Sequence, residues 1–152
     1  MGRARQTLPI DVSFGNMITP SPVTLAFPSM LVTEEVNVRV YPLETVVAEK
    51  FAALCELGLV TTRMKDIYDL WIITRRETLD PGTLKRAVTR AFTNRNTPPA
   101  TEVLSDDFAA DPEMRRKWSQ YLRRTGLEAP VNFNEVMADL RPYLISVQSN
   151  QD

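Results

Sequence analysis

The sequence has no histidine. That excludes a Ser-His-Asp triad, an imidazole metal site and a histidine switch near neutral pH. Its single cysteine, Cys55, can close neither an internal disulfide nor a zinc ligand set. The five glycines stand singly, so there is no glycine-rich loop to cradle phosphates. No apolar run is long enough to span a bilayer, and no membrane association is expected. Arg3 and Arg5 are not followed by the apolar stretch of a signal peptide, which makes the cytoplasm the expected location. Neither sign of charge dominates: 18 basic and 19 acidic side chains leave a net charge of −1, so the chain is not a globally cationic nucleic-acid binder.

What is present suits one soluble globular fold. A chain of 152 residues that is 43% hydrophobic can bury a substantial core without disulfide or metal staples. The charge is unevenly spread. Residues 61–95 hold eight basic side chains against four acidic ones, and residues 111–125 hold five against two. These stretches read either as solvated helix faces or as a weak surface for a polyanion.

Three short alternating segments, Leu8–Phe14, Val23–Phe27 and Val36–Tyr41, read as strands. Turn chemistry separates them at Gly15-Asn16 and Pro20-Ser21-Pro22. From Pro42 the pattern switches to the helical period. The spacing predicts helices over Leu43–Leu57, over Met64–Glu77 behind a Thr61 or Thr62 cap, and from Pro81 up to Thr97-Pro98. Two more are predicted from Pro112 and from Asn132, the latter capped with Glu135 and kinked at Pro142. Residues 100–110 read as a loop. The expected class is α+β: a small three-stranded sheet over residues 1–42, followed by a five-helix bundle over 43–152.

Chemistry concentrates on the first two helices. On a helical wheel Leu43, Val46, Val47, Ala53, Leu54 and Leu57 fall within about 80° of one direction, with Lys50 near the centre. A lysine there either pairs with a core carboxylate or forms the cationic floor of an anion site. The next helix is apolar on most sides, with Ile67, Tyr68, Leu70, Trp71, Ile72 and Ile73. It nevertheless carries Asp66 and Asp69 only about 60° apart on the wheel. The helix dipole and the neighbours Arg63 and Lys65 account for Asp66 more readily than for Asp69. Asp11 interrupts the first strand, either facing solvent or joining the same site. Carboxylates suit magnesium and a lysine suits phosphate, so together these residues describe a metal and triphosphate site.

Three segments carry a family resemblance: Ile10 to Gly15; Tyr41-Pro42-Leu43-Glu44-Thr45-Val46-Val47-Ala48-Glu49-Lys50; and Arg63-Met64-Lys65-Asp66-Ile67-Tyr68-Asp69-Leu70. Together they resemble the AbiEii/AbiGii-type nucleotidyltransferase toxins of bacterial toxin–antitoxin and phage-defence systems. The resemblance implies a polymerase-β-like fold, of which residues 1–42 would be part of the nucleotidyltransferase sheet. It implies a nucleoside triphosphate substrate, magnesium, a transfer RNA or protein hydroxyl as acceptor, and a cognate antitoxin. It makes Asp66, Lys50 and Asp11 the catalytic set and Lys50, Lys65 and Asp69 the nucleotide-binding set.

One departure stands out. The family carries a Gly-Ser turn followed by an Asp-x-Asp pair that holds the metals, and this sequence has no Asp-x-Asp anywhere. The chain is therefore expected to correspond to the C-terminal part of such an enzyme. Without those metal ligands it is expected to be inactive alone. The alternative is a non-catalytic nucleotide- or antitoxin-binding module of the same descent. An exposed sheet edge is expected to promote self-association into a homodimer.

Overall fold

A computed structural model describes residues 7, 18–29, 35–98 and 102–148. Two strands, β1 (Val23–Phe27) and β2 (Val36–Val40), pair antiparallel with Val23 opposite Val40 and Phe27 opposite Val36. The predicted third strand, Leu8–Phe14, lies outside the described residues, and the described sheet is two-stranded. The alternation places Val23, Leu25, Phe27, Val36, Val38 and Val40 on one face of the hairpin. Leu25, Phe27 and Val36 are more than half exposed there.

Six α-helices follow among the described residues: α1 (Leu43–Leu57), α2 (Met64–Arg76), α3 (Pro81–Arg95), α4 (Asp106–Ala110), α5 (Pro112–Thr125) and α6 (Phe133–Gln148). The sixth, α4, replaces the loop expected over residues 100–110. It is a single short turn started by Ser105, whose hydroxyl accepts from the Phe108 N–H. Five residues are too few to show a period, which is why the pattern is silent there. Its purpose in the fold is burial, since Phe108 and Ala109 are both buried.

Local chemistry sets the other boundaries. Pro42 precedes α1, and Gly58 ends it with φ +51°, a conformation that strains any residue with a side chain. A Cβ at Gly58 would also stand 3.1 Å from Glu102 Oε2. A 3₁₀ turn over Gly58–Val60 leads on toward α2. The expected threonine cap of α2 is absent: Arg63 is the first flanking residue and no side chain caps the helix. The buried Thr61 hydroxyl instead accepts from the Arg63 N–H at 3.1 Å, two residues along. A hydroxyl that bonds so close to its own backbone is spent before it reaches the helix. Asp80 caps α3 through the Thr83 N–H with Pro81 at the first position, and Asp111 caps α5 through the Met114 N–H at 2.9 Å. Asp111→Ala is expected to cost about 1 kcal/mol in urea unfolding, and Asp111→Asn a few tenths. In α6, Asn132 accepts from the Asn134 N–H and its amide donates to Glu135, a variant of the capping box. The helix continues through Pro142.

The core forms where the helices cross. α1 packs mainly on α3 and α2, and α6 lies against α2, α3, α4 and α5. Phe51 meets Phe92 edge-to-face at 5.3 Å between ring centroids. Trp118 is fully buried between Tyr121 and Phe133 and donates its indole N–H to the Pro130 carbonyl at 2.8 Å. No helix among the described residues is long and apolar enough to cross a membrane.

Candidate active site

α1 and α2 run past one another with their charged residues facing. The apolar side chains buried from α1 are Val47, Ala48, Phe51, Ala52, Ala53 and Leu54. Apart from Ala53 they centre about 110° round the wheel from Lys50. Lys50 therefore sits at the border of the buried face and not at its middle. The wheel places Leu43, Val46 and Leu57 on the apolar face that surrounds Lys50. Leu43 is 39% exposed, and Val46 and Ala53 line a cleft. Phe51, fully buried and about 100° round the wheel from Lys50, lies near the centre of the buried face.

At that border the Lys50 ammonium meets both aspartates. Nζ lies 2.5 Å from Asp66 Oδ1 and 2.8 Å from Asp69 Oδ2. The side chains of Lys50, Asp66 and Asp69 are 16–20% exposed, so the cluster is sheltered but not sealed. Lys65 reaches the same Asp69 Oδ2 at 2.5 Å from its exposed position one turn earlier, and Arg63 Nη1 stands 3.6 Å from Asp66 Oδ2. Three cations thus converge on two carboxylates. The connection that carries Arg63 is pinned from below, because Lys117 donates to the carbonyls of Thr61 (2.9 Å) and Leu59 (3.3 Å).

These contacts set the protonation states. Burial alone would pull the Lys50 ammonium down, but its hydrogen bonds to Asp66 and Asp69 outweigh that, and its pKa lies above the ordinary 10.5. Burial would raise Asp69, but its bonds from Lys50 and Lys65 hold it below the ordinary 3.8. At neutral pH Lys50 is therefore an ammonium and Asp69 a carboxylate.

A cleft of about 290 Å³ opens beside it, lined by Lys50, Arg63 and Asp66 together with Tyr41, Thr45 and Arg95. Ile18 also lines it, and the segment holding Ile18 is tied down where Thr45 Oγ1 donates to the Thr19 carbonyl at 2.7 Å. Arg95 and Tyr41 were missed by the sequence reading. Arg95 arrives from the end of α3 only because α3 packs on α1, where it bridges Glu49 and Glu56. No local pattern announces such a residue. Of the residues singled out in the sequence, the structure brings together Lys50, Lys65, Asp66 and Asp69. Asp11 lies outside the described residues.

Asp66 and Asp69 by themselves do not make a magnesium site. A divalent ion needs several carboxylate or carbonyl oxygens directed at one point. Here the two carboxylates are engaged by ammonium groups, and no cluster of three or more acidic, histidine or cysteine side chains among the described residues could hold a metal. The cleft thus holds three cations, Lys50, Arg63 and Arg95, beside two carboxylates, Glu49 and Asp66.

A family model described as nucleotidyl transferase AbiEii toxin, type IV toxin–antitoxin system, matches residues 1–139. The chain belongs to this AbiEii family. The matched region spans the whole of the Lys50–Asp66–Asp69 cluster and every helix that carries it. As a member of a toxin family from two-component systems, the AbiEii-family chain has an antitoxin as its implied partner. No curated protein and no solved structure gives a significant match.

Proposed function

We propose that the chain is the phosphate-facing, helical part of a nucleotidyltransferase toxin, and that it does not carry out transfer by itself. The observation that carries this reading is the Lys50 ammonium, held by two aspartates in the wall of a cleft that it shares with Arg63. An ammonium is a point charge suited to a phosphate oxygen, and the aspartates fix its position before a ligand arrives. Lys50 contacts the triphosphate, Lys65 and Asp69 complete the nucleotide contacts, and Asp66 is the catalytic carboxylate, with Asp11 as the third acid of the set. The cluster supplies orientation and charge for an acceptor hydroxyl attacking the α-phosphate. Any magnesium would be held by carboxylates outside this cluster, and they are the part this sequence lacks as an Asp-x-Asp pair.

The test is label transfer from nucleoside triphosphates, with magnesium and transfer RNA or protein acceptors. The chain alone is expected to transfer nothing. Mixed with a polypeptide bearing the Gly-Ser and Asp-x-Asp elements it is expected to transfer label, and Lys50→Ala is expected to reduce that activity by about 10²-fold or more. Transfer by the chain alone would overturn the inactivity. Saturable nucleotide binding without transfer in the mixture would favour the second reading, a non-catalytic nucleotide- or antitoxin-binding module.

A further inference from the structure

The register of the β1–β2 hairpin puts Val23, Leu25, Phe27, Val36, Val38 and Val40 on one face and Thr24, Ala26, Asn37 and Arg39 on the other. Six aliphatic and aromatic side chains in a row of cross-strand pairs form the kind of face that a sheet turns inward. Here it is turned outward. Leu25, Phe27 and Val36 are more than half exposed and Val23 nearly so. Apart from pairing with each other, β1 and β2 pack substantially on no helix among the described residues. None of the six side chains belongs to the hydrophobic core. A two-stranded hairpin is marginal in water unless one face is packed. We propose that this face packs on the same face of a second copy of the chain, across a twofold axis.

The area fits a dimer. The four exposed side chains, with the partly covered Val38 and Val40, present on the order of 400 Å² of apolar surface, a size that marks an interaction site. A homodimer interface is about two-thirds apolar, so such a centre corresponds to about 600 Å² per protomer and about 1,200 Å² in all. That is the lower end of the range for a specific complex.

The chemistry selects a second copy as the occupant. A twofold axis sets equivalent residues near one another, so a charge close to the axis meets its own like. This face carries no charge, and the one cation of the hairpin, Arg39, belongs to the opposite face. Hydrocarbon therefore meets hydrocarbon, and an acidic or basic partner would find nothing to pair with. Two sheets joined this way lie about 10 Å apart with their strands inclined by roughly 30°. The arrangement differs from the edge-to-edge association expected from the sequence, because it buries side chains and leaves the strand edges untouched. It concerns the hairpin alone and stands apart from whatever reaction the cleft performs.

The experiment is sedimentation equilibrium of the full chain from about 1 to 100 µM. The mass is expected to rise from that of one chain to that of two and to stop there, because a twofold interface closes on itself. Leu25→Lys/Phe27→Lys sets ammonium groups against their own copies and should raise the dissociation constant at least about a hundredfold. Both positions are already more than half exposed, so the far-UV circular dichroism of the helices should not change. Ala26→Lys, on the same strand but the opposite face, should leave the dissociation constant within about twofold. The mass of one chain at every concentration, or a mass that climbs past two, would overturn the proposal. So would a dimer that survives Leu25→Lys/Phe27→Lys, which would point to edge pairing, or one that Ala26→Lys weakens equally. A chain that stays single alone but binds the polypeptide bearing the Asp-x-Asp element, and loses that binding in Leu25→Lys/Phe27→Lys, would reassign the face to that polypeptide.

Discussion

Lys50→Met is expected to lower the free energy of unfolding by about 2 to 3 kcal/mol at pH 7, less than for a fully buried pair because the cluster keeps some exposure. The side-chain stem is conserved in bulk, so the loss reports charge. Without the ammonium, Asp66 and Asp69 face each other across the gap that Lys50 bridged, with only the more exposed Arg63 and Lys65 to offset them. The pH dependence identifies the cause. Asp69 is depressed in the folded protein, so its contribution is present above its ordinary 3.8 and is lost as pH falls through the lower folded value. Lys50 is raised, so its contribution is present below 10.5 and is lost as pH rises through the higher folded value. The wild-type protein should therefore have this stabilisation in full between roughly pH 5 and pH 9. The difference between wild type and Lys50→Met should shrink as pH falls below 3.8 and Asp69 takes up its proton, first in the unfolded chain and then in the folded one. Adding Asp69→Asn to Lys50→Met should recover part of the loss at pH 7. Urea titrations across pH measure this, and a pH-independent difference would mean that packing and not charge explains it.

Trp118→Ala should have a larger effect, about 4 kcal/mol. The indole is fully buried, stacks against Tyr121 and Phe133 at centroid distances of 5.9 Å each, and spends its N–H on Pro130. The substitution leaves a cavity at the junction of α5 and α6 and an unpaired carbonyl near the chain reversal between them. Trp118→Phe keeps most of the ring and loses the hydrogen bond, so about 1 to 2 kcal/mol is expected. Chemical unfolding followed by far-UV circular dichroism distinguishes the two. Equal losses would show that the hydrogen bond, and not the buried volume, holds that corner.

The helices were largely legible because their signals are local. α1 has the limits the period and the breakers assign, Leu43 to Leu57, and α3 and α5 begin at the Asp-Pro pairs that cap them. The misreadings have physical causes. α4 is too short to display a period, and Thr61 turned its hydroxyl back on the next residues instead of capping α2. The candidate site was half legible. Asp66 and Asp69 share a side of α2 by helical spacing alone, and Lys65 lies one turn from Asp69 by the same rule. Lys50 was conspicuous because a charge stood among apolar neighbours, but its place on the helix was misjudged. On α1 apolar residues flank Lys50 on both sides, so periodicity has little contrast, and the side that is buried is the one that carries Phe51.

Sequence alone determined the limits of α1, the starts of α3 and α5 and which carboxylates share a face of α2, because these depend on residues a few positions apart. Only the tertiary structure decided that Lys50 bridges Asp66 and Asp69 from a neighbouring helix and that Arg95 joins the same cleft. Those meetings depend on how α1 packs on α2 and α3, and that packing is set by the summed burial of many side chains, to which no short segment holds the key.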